Sequence, residues 1–92
     1  MVKSFRHKGL KQLFENGRSR SVSADLMRRH VRQLDFLNRA TGPLDMNLPG
    51  YRLHELKGDR KGAWSVTVSG NWRLTFTFEG EDACDVDLED YH

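Results

Sequence analysis

The sequence predicts an α+β fold: two N-terminal helices packed on a mainly antiparallel sheet of about four to five strands. Three observations carry this expectation. Apolar residues before Gly42 recur at helical spacing, in two separate segments. After Gly42 they recur at every second position, as in strands with one buried face. The alternating runs are separated by short turns rich in Gly, Asn and Asp, close enough for hairpins.

Val2 to Phe5 reads as a short opening strand. His7 to Asn16 reads as a helix, because Leu10, Leu13 and Phe14 fall at i, i+3 and i+4 and Gly17 suits a left-handed C-cap. Arg18 to Ser21 is a polar linker. Ser23 is a suitable N-cap, and Asp25 lies in the first turn, where the helix dipole favours an anion. The second helix should run to about Ala40 with Met27, Val31, Leu34 and Leu37 on its buried face, and Thr41-Gly42-Pro43 should end it. Tyr51 to Leu56 is the next extended run, closed by the turn Gly58 to Gly62. Trp64, Val66 and Val68 then alternate with Ser65 and Thr67. Trp72, Leu74, Phe76 and Phe78 alternate with Arg73, Thr75 and Thr77, across a Ser69-Gly70-Asn71 hairpin signal. Cys84, Val86 and Leu88 form the last apolar series, after a Glu79 to Asp82 turn.

Ninety-two residues, 37% of them hydrophobic, make a single domain over 1–92 with one modest core. No apolar run approaches the roughly 20 residues of a bilayer span, and the start of the chain has no apolar signal core, so no membrane partner and a cytoplasmic location are expected. The lone Cys84 excludes an internal disulfide and disfavours a zinc cluster. Metal-ligand spacings and a glycine-rich phosphate loop are both missing, so no cofactor is expected. Charge is strongly segregated. Residues 1–40 hold ten Lys/Arg against three acids, a balance of +7; residues 41–92 hold five against ten, a balance of −5. A basic half fits a polyanion partner, and equally fits solvated helix faces.

The chemistry-bearing residues cluster in the second half. Strand alternation places Arg73 on the wet face, where a planar guanidinium can grip a phosphate or pair with Asp85 or Asp87. His54 and Lys57 flank the Gly58 bend; Lys57 can balance charge on a phosphate, and His54 can be acid, base or a structural hydrogen-bonder. Asp90, Tyr91 and His92 bring carboxylate, phenol and imidazole together after a strand-like run, and His92 best matches proton transfer near neutral pH. His7 and His30 read as surface or packing residues, and Cys84 as a small buried group.

With these residues in place, the chain resembles the HigB toxins of the RelE superfamily. The stretches "KSFRHKGLKQLFENG", "YRLHELKGDRKGAWSVTVSGNWRLTF" and the closing "EDYH" carry the resemblance across nearly the whole chain, with departures confined to Ser19–Asn47. The resemblance implies a RelE-like fold and a ribosome-dependent mRNA interferase that cuts codons in the decoding site. It implies a helix-turn-helix antitoxin partner of the HigA kind, and contact with operator DNA only through the antitoxin complex. It also implies His54, Lys57, Arg73, Asp90, Tyr91 and His92 as the catalytic set. A non-enzymatic module that blocks translation by occupying the ribosome or RNA is the alternative.

Overall fold

A computed structural model describes residues 1–90. Helix α1 spans Lys8–Asn16 and α2 spans Ala24–Arg39. Four strands follow: β1 His54–Glu55, β2 Trp64–Ser69, β3 Trp72–Glu79 and β4 Asp82–Asp90, in one antiparallel sheet of order β1-β2-β3-β4. Short 3-10 turns occupy Pro43–Met46 and Gly58–Arg60. This is the α+β arrangement the sequence predicts. No helix among the described residues is long and apolar enough to cross a membrane.

His7 is not the first helical residue but the N-cap of α1, its Nδ1 accepting from Leu10 N at 3.1 Å. Gly17 ends α1 at φ 79°, its N–H donating to the Leu13 carbonyl, a left-handed cap that glycine adopts without a Cβ penalty. The opening strand is reduced to two parallel bridges, Val2 with Ala83 and Phe5 with Val86. These cover the outer edge of β4 and satisfy its backbone, with Lys3 N and Arg6 N each 2.8 Å from their β4 carbonyls. The Tyr51–Leu56 run forms a strand only at His54–Glu55. Arg52 lies at φ 50°, which breaks the extended conformation, although Tyr51 O still accepts from Thr67 N at 2.7 Å.

The core is built from Leu10 and Leu13 of α1, Leu34 and Leu37 of α2, Met46, and Val66, Val68, Leu74, Phe76 and Val86 of the sheet, all essentially without solvent contact. The buried face of α2 is rotated from the expected stripe. Val31 is exposed, and His30 and Gln33 are buried in its place. The reason is a set of polar partners on β2. Gln33 Nε2 donates to Thr67 O at 2.9 Å, and Arg29 Nη1 donates to Val68 O. Those carbonyls need them: β1 is too short to pair with Thr67, and a register shift between Thr67 and Ser69 takes Val68 out of the ladder.

A second bulge lies in β4. Thr75 pairs with Asp87 but Thr77 pairs with Cys84, and Asp85 takes φ 52° between them, its N–H held by Ser4 Oγ at 2.8 Å. One extra residue flips the alternation. Ala83 therefore enters the core, and Cys84 turns to the outer face beside Glu79, while Val86 and Leu88 keep the predicted side. Cys84 is buried as expected, but on the other face of the sheet.

Buried His30 has no hydrogen-bond partner on either ring nitrogen among the described residues. Desolvation, reinforced by the charges of His7 and Arg29, holds its pKa below the ordinary 6.5. The sign follows directly. Above 6.5 both folded and unfolded imidazoles are neutral; below it the unfolded chain takes a proton that the fold refuses, and stability falls. The urea midpoint should therefore drop between about pH 7.5 and pH 5.5. A His30→Leu variant, which removes this titration, should show a smaller drop over the same interval; an identical drop would rule His30 out as its source.

Candidate active site

Antiparallel register lines up the outer, polar face of the sheet in rows. His54 pairs with Ser65, Ser65 with Thr75 and Thr75 with Asp87; the next row runs Thr67, Arg73, Glu89. Cross-strand partners share a face. Arg73 and His54 thus stand on one surface, in adjacent rows, opposite the helix-packed core. Arg73 is half-buried, whereas His54 is exposed on the short edge strand.

The electrostatics of this face turn on Glu89, which the sequence reading did not single out. It sits directly across from Arg73 and would be its natural ion-pair partner. Both of its oxygens are already committed. Arg60 binds it through two guanidinium nitrogens at 2.7 and 2.6 Å, and the Thr75 hydroxyl donates to it at 2.6 Å. The Arg60 contacts hold the Glu89 carboxyl below its usual range despite partial burial, with further help from Thr75 and Arg6. Arg73 turns instead to the Thr67 hydroxyl, and no carboxylate among the described residues pairs with it. The pairing of Arg73 with Asp85 or Asp87 that strand alternation allows is therefore not formed. A guanidinium bonded only to a neutral hydroxyl keeps its charge and most of its donors for an anion.

The Gly58–Arg60 turn makes this possible. Gly58 takes φ 68°, and the turn carries Arg60 back over the sheet to β4, 29 residues on. Lys57 is exposed at the head of the same turn. A cavity of about 240 Å³ lies beside it, lined by Arg6, Arg60, Thr75, Thr77, Asp87 and Glu89. Arg73, His54 and Lys57 lie outside that lining. Asp90 is exposed and pairs across with Trp72, one residue past Glu89, so alternation directs it to the face opposite Arg73. Tyr91 and His92 lie outside the described residues. Among the described residues, no three His, Cys, Asp or Glu side chains are grouped as a metal ion would need.

The sequence held a signal for Glu89, since Asp87 and Glu89 alternate with Val86 and Leu88 and so face outward with Arg73. It held none for Arg60, whose role depends on a turn folding across the sheet.

Comparison with known proteins agrees with this architecture. Residues 3–92 match the HigB-like toxin family, described as the RelE-like toxin of type II toxin–antitoxin system HigB. The chain is 49% identical to Endoribonuclease HigB of Proteus vulgaris over 92 residues, covering the whole of both chains. It is 32% identical to Toxin HigB-1 of Vibrio cholerae serotype O1 over 78 residues, 83% of this chain and 82% of that one. The α+β fold and the full-length similarity to such toxins lead to one conclusion: the chain belongs to the HigB-like family of RelE-like toxins of type II toxin–antitoxin systems.

Proposed function

We propose that this protein is an endoribonuclease toxin that cuts mRNA in the decoding site of the ribosome, restrained by a helix-turn-helix antitoxin of the HigA kind. The similarity to Endoribonuclease HigB supports the activity. The observation that supports the chemistry is the division of labour around Glu89: Arg60 and Thr75 take the carboxylate, and Arg73 bonds to the Thr67 hydroxyl with no carboxylate partner among the described residues.

The reaction is attack of a ribose 2′-oxygen on the adjacent phosphorus. The P–O5′ bond breaks, leaving a 2′,3′-cyclic phosphate and a 5′-hydroxyl. RNA supplies its own nucleophile, so the protein needs to provide a base for the 2′-proton, an acid for the leaving oxygen and positive charge at the phosphorane, with no metal taking part. Arg73, assisted by Lys57, supplies the charge. His92 is the leading proton-transfer group, with His54 and Tyr91 orienting the substrate or sharing the proton work. The ribosome holds the message bent and in place, which supplies much of the proximity that so small a protein cannot. Operator DNA is met only through the antitoxin complex, and the cytoplasm is the compartment where these partners are found.

Expression of the toxin without antitoxin, followed by mapping of mRNA 5′ ends, tests the proposal. New 5′-hydroxyl ends within codons, on translated messages and not on the same RNA free of ribosomes, are the expected result. Translation arrest with intact messages would replace cleavage by occupancy, the non-enzymatic alternative. Cleavage of free RNA at equal rate would remove the ribosome from the mechanism.

A further inference from the structure

A cleft of about 650 Å³ lies away from the Arg73 face, between α2 and the β2–β3 hairpin. Arg28, Arg29 and Arg32 line it from α2, against a single acid, Asp25. Arg28 and Arg32 are exposed and one helical turn apart. Arg29 is anchored by Val68 O. No carboxylate among the described residues forms an ion pair with any of the three. Three cations gathered without neutralisation repel one another, a cost that a bound anion removes.

The far wall carries Tyr51, half-buried and edge-on to Phe36 at 6.3 Å. Burial raises its phenol pKa, while the nearby charges of Arg32 and Arg29 oppose the shift. The phenol therefore stays protonated, a donor beside the arginines. Cations around an aromatic ring suit a phosphate joined to a base, the recurring chemistry of single-stranded RNA sites.

Thr67 links this cleft to the Arg73 face. Its residue lines the cleft, where its carbonyl takes Gln33, and its hydroxyl takes Arg73 on the outer face. The two surfaces therefore meet across the end of one strand. A polynucleotide rounding that end would touch both, whereas an acidic peptide bound at the arginines has no reason to continue to Arg73.

We infer that the cleft between α2 and the β2–β3 hairpin is a second RNA subsite, in which Arg28 and Arg32 grip a backbone phosphate of the strand cut at Arg73. This rests on the endoribonuclease reading, and it can fail separately from it.

The test is binding of a fluorescein-labelled single-stranded 2′-O-methyl RNA, which lacks the attacking hydroxyl and cannot be cut, followed by anisotropy over a salt series. An Arg28→Ala/Arg32→Ala double variant should bind at least tenfold more weakly. Its log–log salt slope should shrink by about 0.7, the share of one phosphate contact on a single strand. A charge-matched Lys8→Ala/Lys11→Ala double on α1 should lose less affinity. Arg28→Lys/Arg32→Lys should keep the salt slope and recover part of the affinity. Thermal melting checks that each variant folds; Arg29 is left alone because it ties α2 to β2. Equal losses in the two Ala doubles, or none in either, would overturn the subsite. So would loss of antitoxin binding with RNA binding intact, which would assign the cleft to an acidic protein segment. An Arg73→Ala background separates the two proposals: there the Arg28→Ala/Arg32→Ala double should still cost at least tenfold in RNA affinity, whatever Arg73→Ala does to cleavage of ribosome-bound mRNA.

Discussion

Arg73→Ala should slow single-turnover cleavage of ribosome-bound mRNA by roughly 10²- to 10³-fold, about 2–4 kcal/mol of transition-state stabilisation. That is the scale for removing one preorganised electrostatic donor from a site where charge develops. The structural ground is that Arg73 faces Glu89 across the ladder yet, among the described residues, bonds to Thr67 instead, because Arg60 and Thr75 occupy the carboxylate. The variant should remain folded. It gives up one partly exposed hydrogen bond, worth about 0.5–1.5 kcal/mol. Arg73→Lys should fall between wild type and Ala, since an ammonium keeps the charge but loses the planar fork. An Ala variant that cuts at the wild-type rate would take Arg73 out of the reaction.

His92→Gln is expected to lower the same rate by about 10²- to 10⁴-fold, the usual contribution of a positioned general acid or base. The argument is chemical, because imidazole is the side chain whose unperturbed pKa lies nearest neutral pH. Rate against pH is the discriminating readout. Wild type should show a limb governed by an ionisation near neutrality, and the Gln variant should lose that limb as well as the rate. A profile of unchanged shape with only a small rate loss would shift the proton work to His54. A parallel His54→Gln series then separates acid from base, an assignment the residue types leave open.

Not every element was equally legible in the chain. The helices, the β2–β3 hairpin and the outward direction of Arg73 follow from periodicity, because helix and strand each impose a fixed spacing on whichever face is buried. Ser23 occupies the predicted cap position of α2 but makes no side-chain capping bond. Trp72 follows the core parity of β3 yet is exposed, since it lies at the first residue of the strand, beside the hairpin turn. Burial along a strand depends on what covers it, and that is not a local property.

The sequence by itself determined the fold class, the order of its elements and the side of the sheet on which Arg73 stands, because these depend on backbone spacing within a few residues. Tertiary structure alone decided that His30 and Gln33 are buried, that β4 bulges at Asp85, that Arg60 rather than Arg73 holds Glu89, and that three arginines frame a cleft beside Tyr51. Each of these is settled by a hydrogen bond, ion pair or contact reaching across the fold. Such partners are chosen by which buried polar groups would otherwise go unsatisfied, a condition that exists only once the chain has closed on itself.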